Sequence, residues 1–414
     1  MSKLKQPKAL DMLLESGKIS KTEDARAIAT HLLDSPDIRP ARVDQFEYED
    51  LCHLIGVKPT RIDEIREGDP DQKQFSFANR SVPFPSPKKY KFKFIDLFAG
   101  IGGFRLAFQA AGGKCVFTSE WDKFAKQTYE ANFGEYPYGD ITKIDEKEIP
   151  DHDVLCAGFP CQPFSLAGVS KKNSLGRKHG FEDETQGTLF FDLKRIIAEK
   201  RPKSFMLENV KNLMSHDKGQ TFEVIRKSLE EDLGYIINWK VVNGSKWVPQ
   251  NRQRIFIVGY DPDQILIDRE DIIIPEKPDK KHVYKTFSEI IKKNVDGYTL
   301  GPGTWDTLVR HKANHAKKGN GFGYGIHSFP MADDEISRTI SARYHKDGAE
   351  VLIEQKGDRP RRLTVEEAMQ LQGYDPNKFI FPVSKTQAYR QIGNSVVVPA
   401  IADCALQMAK IINR

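Results

Sequence analysis

The stretch FIDLFAGIGGF, residues 94–104, decides the fold of this chain. A short β-prone run ends at Leu97, a turn with three glycines follows, and a helical pattern opens behind the turn. Glycines at that point let the backbone pass close to a ligand at the carboxyl end of a strand. The stretch therefore predicts the first strand–turn–helix unit of a ligand-binding α/β sheet.

The same alternation of strand and helix continues beyond this unit. Further short apolar runs lie at 116–119, 154–157, 204–207 and 255–258, and most are separated by segments of helical length. Strands that alternate with helices are typical of an α/β protein with a mostly parallel sheet. We therefore predict one such sheet between residues 91 and 260.

The alternation of predicted strands and helices stops between residues 261 and 360. This segment is rich in glycine, lysine and aromatic residues, and it contains GNGFGYG at 319–325, which suits neither a regular helix nor a central strand. Helical periodicity returns in the last part of the chain, 361–414. The sequence thus predicts an irregular domain at 261–360, after which the chain returns to the α/β domain.

The first 85 residues predict a small helical domain. One amphipathic pattern runs from Thr22 to Leu33. A second one passes through Tyr48 and Ile55, reaches a glycine turn at Gly56, and is followed by a new helix start at Pro59-Thr60. Two helices with a short turn between them fit a DNA-binding helix-turn-helix, and they fit a packing or partner-binding bundle equally well. A proline-rich linker, SVPFPSPKK at 81–89, follows them.

Length, composition and net charge restrict the classes of protein to which this chain can belong. The chain has 414 residues, of which 39% are hydrophobic and 29% charged, as expected for two or three folded domains. The net charge of +5 is too small to indicate a nucleic-acid partner by itself, since the distribution of charge matters more than its sum. No apolar run reaches the length of a membrane span, so we expect a cytoplasmic protein without membrane contact.

Cysteine usage argues against disulfides and metal sites. The five cysteines are scattered and lack CxxC spacing, and they are Cys52, Cys115, Cys156, Cys161 and Cys404. We therefore expect no bound metal and at most one reactive thiol, with the other cysteines acting as small buried residues.

A carboxylate and an aromatic residue follow the second predicted strand. Glu120 could accept hydrogen bonds from both hydroxyls of a ribose, and Trp121 offers a flat face to an adenine. Asp140, after the next unit, could accept a hydrogen bond from an adenine amine. Together with the glycine turn, this pattern favours a cofactor that contains adenosine.

Three further motifs place reactive side chains at strand ends. Cys161 lies between two prolines in GFPCQPFS, outside any regular structure, where a thiol can be exposed and reactive. Glu208 directly follows an apolar strand, and the carboxyl ends of such strands meet at one crevice. Arg252 and Arg254 alternate before the last predicted strand, so they point the same way, as fixed donors or as an ordinary surface ladder.

Taken together, these segments resemble the bacterial DNA cytosine-5 methyltransferases. The resemblance runs from about Lys91 to the C-terminus, and its motifs are DLFAGIGG at 96–103, Glu120-Trp, Asp140-Ile, Pro160-Cys-Gln, Glu208-Asn-Val, Gln250-x-Arg-x-Arg and Gly393-Asn-Ser-Val. It implies a Rossmann-like sheet that uses S-adenosylmethionine, releases S-adenosylhomocysteine and methylates carbon 5 of a cytosine flipped out of double-stranded DNA.

The resemblance also implies a role for each reactive residue. Cys161 would add its thiolate to carbon 6 of the cytosine and so make carbon 5 nucleophilic. Glu208 would hold the exocyclic amine and share a proton with ring nitrogen 3. Arg254 would bind the carbonyl oxygen at carbon 2, with Arg252 supporting the site.

Binding residues are implied in the same way. The expected cofactor contacts are Phe98, Gly100, Gly102, Glu120, Trp121, Asp140, Ile141, Pro160, Asn394 and Val396. The expected DNA contacts are Ser165, Lys171, Lys172, Arg177, Arg343 and Lys346. The segment 168–180 matches the family's mobile loop but looks longer than usual, and it either closes over DNA or is a solvated basic loop.

Segment 261–360 then corresponds to a target recognition domain. Its sequence resembles that of bacterial enzymes that read palindromes beginning with CC, such as CCGG, CCNGG or CCWGG. We expect a monomer that acts in a restriction–modification system beside a cognate restriction endonuclease. An RNA cytosine-5 methyltransferase of the same fold and a DNA-binding regulator acting through residues 1–85 are the rival interpretations.

Overall fold

The computed structural model describes residues 25–35, 38, 41, 82–160, 189–278, 284–319 and 323–414. Several predicted features lie outside these residues: the second N-terminal helix near 48–55, Cys161, and the expected DNA contacts Ser165, Lys171, Lys172 and Arg177. Every structural statement below concerns the described part of the chain.

A six-stranded sheet forms the centre of the α/β domain. Its strands are β1 (Phe92–Leu97), β2 (Gly113–Ser119), β3 (Val154–Gly158), β4 (Ser204–Val210), β5 (Ile236–Asn243) and β6 (Gln253–Tyr260). The order is β2-β1-β3-β4-β6-β5, with β1 to β4 parallel and β6 antiparallel to both of its neighbours. The predicted strands and the mostly parallel sheet are confirmed, whereas β5 was not predicted.

Helices cover both faces of this sheet. The α-helices are α1 (Ala25–Asp34), α2 (Gly103–Ala110), α3 (Lys123–Phe133), α4 (Leu189–Lys200), α5 (Gln220–Lys227), α6 (Phe287–Ile290), α7 (Pro302–Lys317), α8 (Tyr344–Asp347), α9 (Val365–Gln370), α10 (Lys385–Asn394) and α11 (Val398–Ile412). Short 3-10 helices lie at Ile141–Lys143, Glu146–Glu148, Lys211–Met214, His216–Gly219, Gly244–Lys246 and Arg269–Asp271, and a π-helix at Ser228–Asp232. One apolar cluster lies on each face of the sheet, and α2 and α11 share the same one.

A second, smaller sheet lies in the segment predicted to be irregular. Its strands, in the order β7-β8-β9, are β7 (Ile326–His327), β8 (Leu352–Gln355) and β9 (Asp358–Arg362), so β9 spans the predicted boundary at residue 360. Buried residues of this segment, including Phe287 and Tyr344, form one cluster with Met369 and Ile392. The segment therefore packs against the C-terminal helices, and it also has a small apolar cluster of its own at Leu300, Leu308 and Leu352.

Helix α1 also packs against the α/β domain. The buried residues Ala27 and Ile28 belong to the same apolar cluster as Phe117 and Ile141. The part of the predicted N-terminal domain that the structure describes thus contributes to the core beside β2.

No single described helix has the length and apolar composition needed to cross a membrane. Only α10 and α11 taken together meet those criteria, and the pair is bent by 42° at the break between them.

The glycine turn after β1 depends on two positive backbone angles. Gly102, with φ of +83°, is the residue before the first turn of α2, and a Cβ there would lie 2.2 Å from Cε2 of Phe133. Gly100, with φ of +55°, would place a Cβ in open space, with no atom within 4 Å. The two glycines are therefore required for different reasons, close packing for Gly102 and backbone conformation for Gly100.

We predict that Gly102→Ala destabilises the protein by roughly 1–3 kcal/mol more than Gly100→Ala, because only the first methyl group meets a packed ring. Both variants share the cost of a non-glycine residue in the left-handed region, so this cost cancels in the comparison. Urea denaturation of the two variants measures the difference. Equal losses of stability would show that Phe133 moves away freely.

Candidate active site and cofactor pocket

A cavity of about 780 Å³ opens at the carboxyl ends of the parallel strands. The sheet places β1 between β2 and β3, so the chain leaves β1 in one direction and later returns on the other side. Open α/β sheets bind their ligands outside this reversal point, because the loops there diverge and leave a crevice. The cavity lies at the position where the sequence predicted a site.

The glycine loop forms one wall of the cavity. Phe98 adopts a positive φ of 55°, which turns the chain sharply after β1, and Gly100 follows with the same value. The amide of Gly100 donates a hydrogen bond of 2.8 Å to Oε2 of Glu120. This bond ties the loop after β1 to the end of β2.

Glu120 is a buried carboxylate that organises two loops at once. Its other oxygen, Oε1, accepts a hydrogen bond of 2.8 Å from the amide of Asp122. Burial raises the pKa of Glu120 above its usual value, and the two amide donors oppose this effect. Each carboxylate oxygen can still accept a second hydrogen bond, which leaves room for the expected ribose hydroxyls.

Trp121 and Asp140 lie on either side of that position. Trp121 borders the cavity with 76% of its surface exposed, which is unusual for a residue of this size. Asp140 begins the turn Ile141–Lys143, where its side chain accepts bonds from the amide and hydroxyl of Thr142. Both residues line the cavity, and so does the buried Ile141, which follows Asp140 in the chain.

At the other end of the cavity, Glu208 pairs with an arginine. The Nε atom of Arg254 lies 2.9 Å from Oε1 of Glu208, and both residues line the cavity. Burial raises the pKa of Glu208, while the charges of Arg254 and Arg252 oppose that shift. In the sheet, Glu208 is the direct partner of Gly158, so it lies beside the strand that leads to Pro160 and Cys161.

Arg252 has a different environment from Arg254. It is buried, and its guanidinium donates to three backbone carbonyls: those of Ile340 at 3.0 Å, Gly393 at 3.0 Å and Ser395 at 2.5 Å. Burial and the neighbouring Arg254 lower the pKa of Arg252 to about 9. Arg252 therefore holds the cavity wall together across three chain segments.

The remaining predicted residues divide into two groups. Pro160, Asn394 and Val396 line the cavity, as expected. Gly102 does not: it is the residue before α2, and a Cβ there would meet Phe133, whereas the neighbouring Gly103 lines the cavity. Arg343 and Lys346 lie outside the cavity, exposed at the start and in the middle of α8.

Sequence reasoning missed several residues that line the cavity. Asp122 caps α3 and lies 4.0 Å from Nη1 of Arg390, so this pair bridges the β2 loop and α10. Gln387 and Gln391 come from the same face of α10 as Arg390. Arg390 and Gln391 lie three and four residues after Gln387, a spacing that predicts side chains on one side of a helix. This pattern does not indicate which distant residue those side chains meet.

Gln250 is another residue for which the sequence predicted no role, although it belongs to the Gln250-x-Arg-x-Arg motif. It is fully buried, its Oε1 accepts from the amide of Ile340 at 2.8 Å, and its Nε2 donates to the carbonyl of Leu371 at 2.7 Å. It thereby attaches the backbone of segment 261–360 to the chain that leads into β6. The first glutamine of Gln-x-Arg-x-Arg thus has a structural partner that the motif alone did not reveal.

The site fits S-adenosylmethionine by its shape and its polar groups. Its volume falls within the roughly 300–1,000 Å³ typical of small-molecule pockets. Trp121 provides an exposed aromatic face, Glu120 and Asp140 provide acceptors, and the glycine loop provides backbone that a ligand can approach. Within the described residues, no group of three His, Cys, Asp or Glu side chains is placed to hold a metal ion.

Fold and cavity together define the class of S-adenosylmethionine-dependent methyltransferases with a Rossmann-like sheet. The C-5 cytosine-specific DNA methylase family matches residues 92–410. The chain belongs to this family and is a DNA cytosine-5 methyltransferase. Residues 1–91 lie outside the match.

Curated relatives agree with this assignment. The type II methyltransferase M.SsoII of Shigella sonnei is 50% identical over 322 residues, which cover 77% of this chain and 80% of the relative. The DNA-cytosine methyltransferase of Escherichia coli K12 is 45% identical over 389 residues and covers 81% of each chain.

Solved structures share the fold at low sequence identity. The S. pombe Dnmt2 methyltransferase superposes with a TM-score of 0.59 at 16% identity and covers 78% of this chain and 98% of its own. The Entamoeba histolytica methyltransferase EhMeth gives a TM-score of 0.56 at 19% identity, with 79% and 98% of the chains covered.

We predict that Trp121→Ala weakens the binding of S-adenosylmethionine roughly 5- to 150-fold, because aromatic stacking on a base is worth about 1–3 kcal/mol. Titration calorimetry without DNA measures the dissociation constant. Trp121→Phe serves as the control, since it keeps an aromatic face and should retain most of the affinity. If alanine binds as tightly as tryptophan, the adenine does not lie against this ring.

Proposed function

We propose that methyl transfer proceeds through a covalent bond between Cys161 and carbon 6 of a cytosine flipped out of the duplex. The observation that carries this proposal is the pairing of Glu208 with Arg254 at the cavity end nearest Pro160. A buried acid and a fixed guanidinium suit the polar edge of one pyrimidine. Pro160 also lines this cavity, and Cys161 follows it directly in the sequence.

Glu208 acts on ring nitrogen 3 and on the exocyclic amine of the cytosine. Its pKa is raised because the carboxyl group is buried, so the protonated form persists to a higher pH than in water. A proton held there prevents negative charge from building on the ring when the thiolate adds. The register between Glu208 and Gly158 brings the acid to the strand from which the nucleophile follows.

Arg254 acts on the carbonyl oxygen at carbon 2. Its Nε faces Glu208, and its Nη1 donates to the carbonyl of Gln253 at 2.8 Å, so the plane of the guanidinium is fixed. The remaining N–H groups can then point at one acceptor of the base without losing further side-chain entropy. Arg252 positions this strand through its three carbonyl contacts and does not touch the base itself.

When bound, S-adenosylmethionine supplies an electrophilic methyl group. Trp121 and Glu120 orient the adenosine, Asp140 and Ile141 enclose the adenine, and the segment that contains Asn394 and Val396 closes the remaining wall. After carbon 5 has taken the methyl group, a water removes the carbon-5 proton. The electron pair of that C–H bond restores the ring double bond and expels the Cys161 thiolate.

We assign the enzyme to a restriction–modification system in the cytoplasm. Relatives at about 50% identity carry the name type II methyltransferase. A monomer that methylates a short palindrome beginning with CC, together with a restriction endonuclease of the same specificity, fits this assignment.

Segment 261–360 selects the DNA site in this proposal. Its residues Ser337 to Ser341 run along the chain that leads into β6: Asn251 donates to the carbonyl of Ser337 at 2.8 Å, and Gln250 and Arg252 bind Ile340. Arg343 and Lys346 follow at once and are exposed. The recognition residues are thus presented by backbone that is attached to the catalytic strand.

The covalent step has a direct test. We expect Cys161→Ser to abolish methylation because a hydroxyl at neutral pH cannot replace a thiolate as nucleophile. DNA with 5-fluorocytosine at the target should trap the wild-type enzyme, since fluorine cannot leave as a proton does, and mass spectrometry should find the adduct on Cys161.

Cys404→Ala is the matched control for this experiment. Cys404 is buried, and burial raises the pKa of its thiol to about 12, so it cannot act as the nucleophile. This variant should methylate and trap like the wild type. Methyl transfer by Cys161→Ser, or an adduct at another residue, would refute the covalent mechanism.

Arg343 and Lys346 allow a test of site reading. If Arg343 binds a guanine through two hydrogen bonds, Arg343→Ala loses roughly 1–3 kcal/mol of discrimination at one position of the site. If Lys346 contacts only phosphate, Lys346→Ala weakens binding to all sequences alike and reduces the salt dependence of binding. Methylation mapped across a genome, together with binding measured at several salt concentrations, separates these outcomes. Unchanged specificity in both variants would place base reading elsewhere.

A further inference from the structure

Helix α1, outside the family match, is attached to the cofactor half of the catalytic domain by polar contacts as well as by apolar ones. Arg26 forms a bidentate pair with Glu130 of α3, with N–O distances of 3.2 and 2.6 Å. The hydroxyl of Thr30 accepts a hydrogen bond of 2.9 Å from the amide of Tyr136. Just beyond the helix, the carbonyl of Ala41 accepts a bond of 3.2 Å from the hydroxyl of Tyr138.

These contacts fall on elements that carry the cofactor loops. Helix α3 begins directly behind Trp121 and Asp122, which line the cavity. Tyr138 is bound to β2 through the amide of Glu120, which donates to its carbonyl at 2.9 Å. Asp140 and Ile141 follow Tyr138 after one residue, and Ile141 packs in the same cluster as Ile28 of α1. The position of α1 therefore influences the part of the cavity in which we place the ribose and the adenine of the cofactor.

A buried cluster of charged groups lies at the C-terminal end of α1. Arg105 of α2 is fully buried and binds both oxygens of Glu135, at 2.7 and 2.9 Å. Asp34, the last residue of α1, faces the same Glu135. One arginine therefore serves two carboxyl groups, and the negative end of the helix dipole lies beside Asp34. Two carboxyl groups in such a place cannot both ionise cheaply, so they can share one proton.

We propose that α1 is a positioning element for the cofactor site, and that a proton shared between Asp34 and Glu135 makes its docking depend on pH. This inference rests on the placement of S-adenosylmethionine under "Proposed function". Asp34, Arg26 and Thr30 do not touch the cofactor; they act through α3 and through the segment from Tyr136 to Ile141.

The direction of the pH effect follows from the two carboxyl groups. Burial first, and then the charge of Glu135, raise the pKa of Asp34 to about 8. Burial also acts to raise the pKa of Glu135, but Arg105 outweighs it and lowers the value to about 2. Glu135 is therefore ionised throughout the neutral range, and Asp34 is the group that titrates.

In the undocked state Asp34 ionises near its ordinary pKa of 3.8. Between that value and about 8, the docked state holds a proton that the undocked state has released, so rising pH disfavours docking. Above about 8 both states are ionised and the penalty stays constant. Docking should therefore weaken steadily from pH 6 to 8 and then level off.

Other groups that face this cluster must be distinguished from Asp34. Apart from Glu135 and Arg105, they are Ser86, His31, Tyr129, Cys115 and Asp96, a buried carboxyl group near the end of β1 whose pKa burial raises well above its usual value. Burial raises the pKa of Tyr129 well above its usual value and that of Cys115 to about 12, so neither ionises between pH 6 and 9. His31 lies on α1 itself and faces Glu135, and it requires its own variant in the test.

The experiment measures the binding of S-adenosylmethionine to the full chain, without DNA, at pH 6, 7, 8 and 9. The variants are Asp34→Asn, Arg26→Ala and His31→Gln, with Glu199→Gln as the control, because it removes one carboxylate from an exposed position on α4. Hydrogen exchange of residues 25–35, scaled at each pH to that of residues 398–412, reports docking independently of binding. Thermal unfolding shows that each variant is folded.

We expect the wild-type dissociation constant to rise roughly 5-fold or more between pH 6 and 8, the lower end of typical coupling between two sites. Asp34→Asn keeps the hydrogen bond without a titrating proton, so its affinity should stay flat over this range. Arg26→Ala should bind more weakly at every pH and exchange faster in α1. Glu199→Gln and His31→Gln should follow the wild type.

Three results would overturn the inference. Asp34→Asn could show the wild-type pH profile, the profile could disappear in His31→Gln, or exchange in α1 could change with pH while cofactor affinity stays constant. A different result, no binding of S-adenosylmethionine by the wild type at any pH, would instead refute the cofactor assignment on which the inference rests.

Discussion

The hydrogen bonds of the buried Arg252 guanidinium are the interaction on which the arrangement of the cavity wall depends. Three backbone carbonyls accept its hydrogen bonds, and they belong to segment 261–360 at Ile340, to the last turn of α10 at Gly393 and to Ser395 directly after that helix. A buried arginine without these acceptors would be too costly to keep, so its charge forces the three segments together. The cavity wall, the recognition segment and the last strand are thereby fixed relative to one another.

Sheet geometry supplies the second constraint. Parallel strands end at one edge, so the loops after β1, β2, β3 and β4 all open into a single cavity. The reversal of direction between β4 and β6 then brings Arg254 alongside Val210, next to Glu208, from the opposite end of its own strand. An antiparallel neighbour is what allows an acid that ends one strand to meet an arginine that begins another.

Buried carboxyl groups recur across the enzyme, and three of them are paired with donors. Glu120 accepts from two amides, Glu208 faces Arg254, and Glu135 is held by Arg105. Burial alone would make all three neutral, and the donors decide how far each one stays ionised. The same principle therefore applies at the cofactor pocket, at the acid that we propose donates a proton to the base and at the attachment of α1, with different outcomes because the number and charge of the donors differ.

The sequence by itself determined the α/β class, the glycine turn and the family, because strand ends and turns demand particular side chains at fixed spacing. Only the tertiary structure decided that Arg252 and Gln250 hold Ile340, that α10 contributes Arg390, and that the recognition segment shares its core with the C-terminal helices. It also placed α1 on the cofactor half, where the sequence had left a helix-turn-helix and a packing bundle as equals. The physical reason is that most of these partners are backbone carbonyls, backbone amides or apolar surfaces, which many segments of the chain can provide. No side-chain pattern therefore reveals which distant segment will supply them.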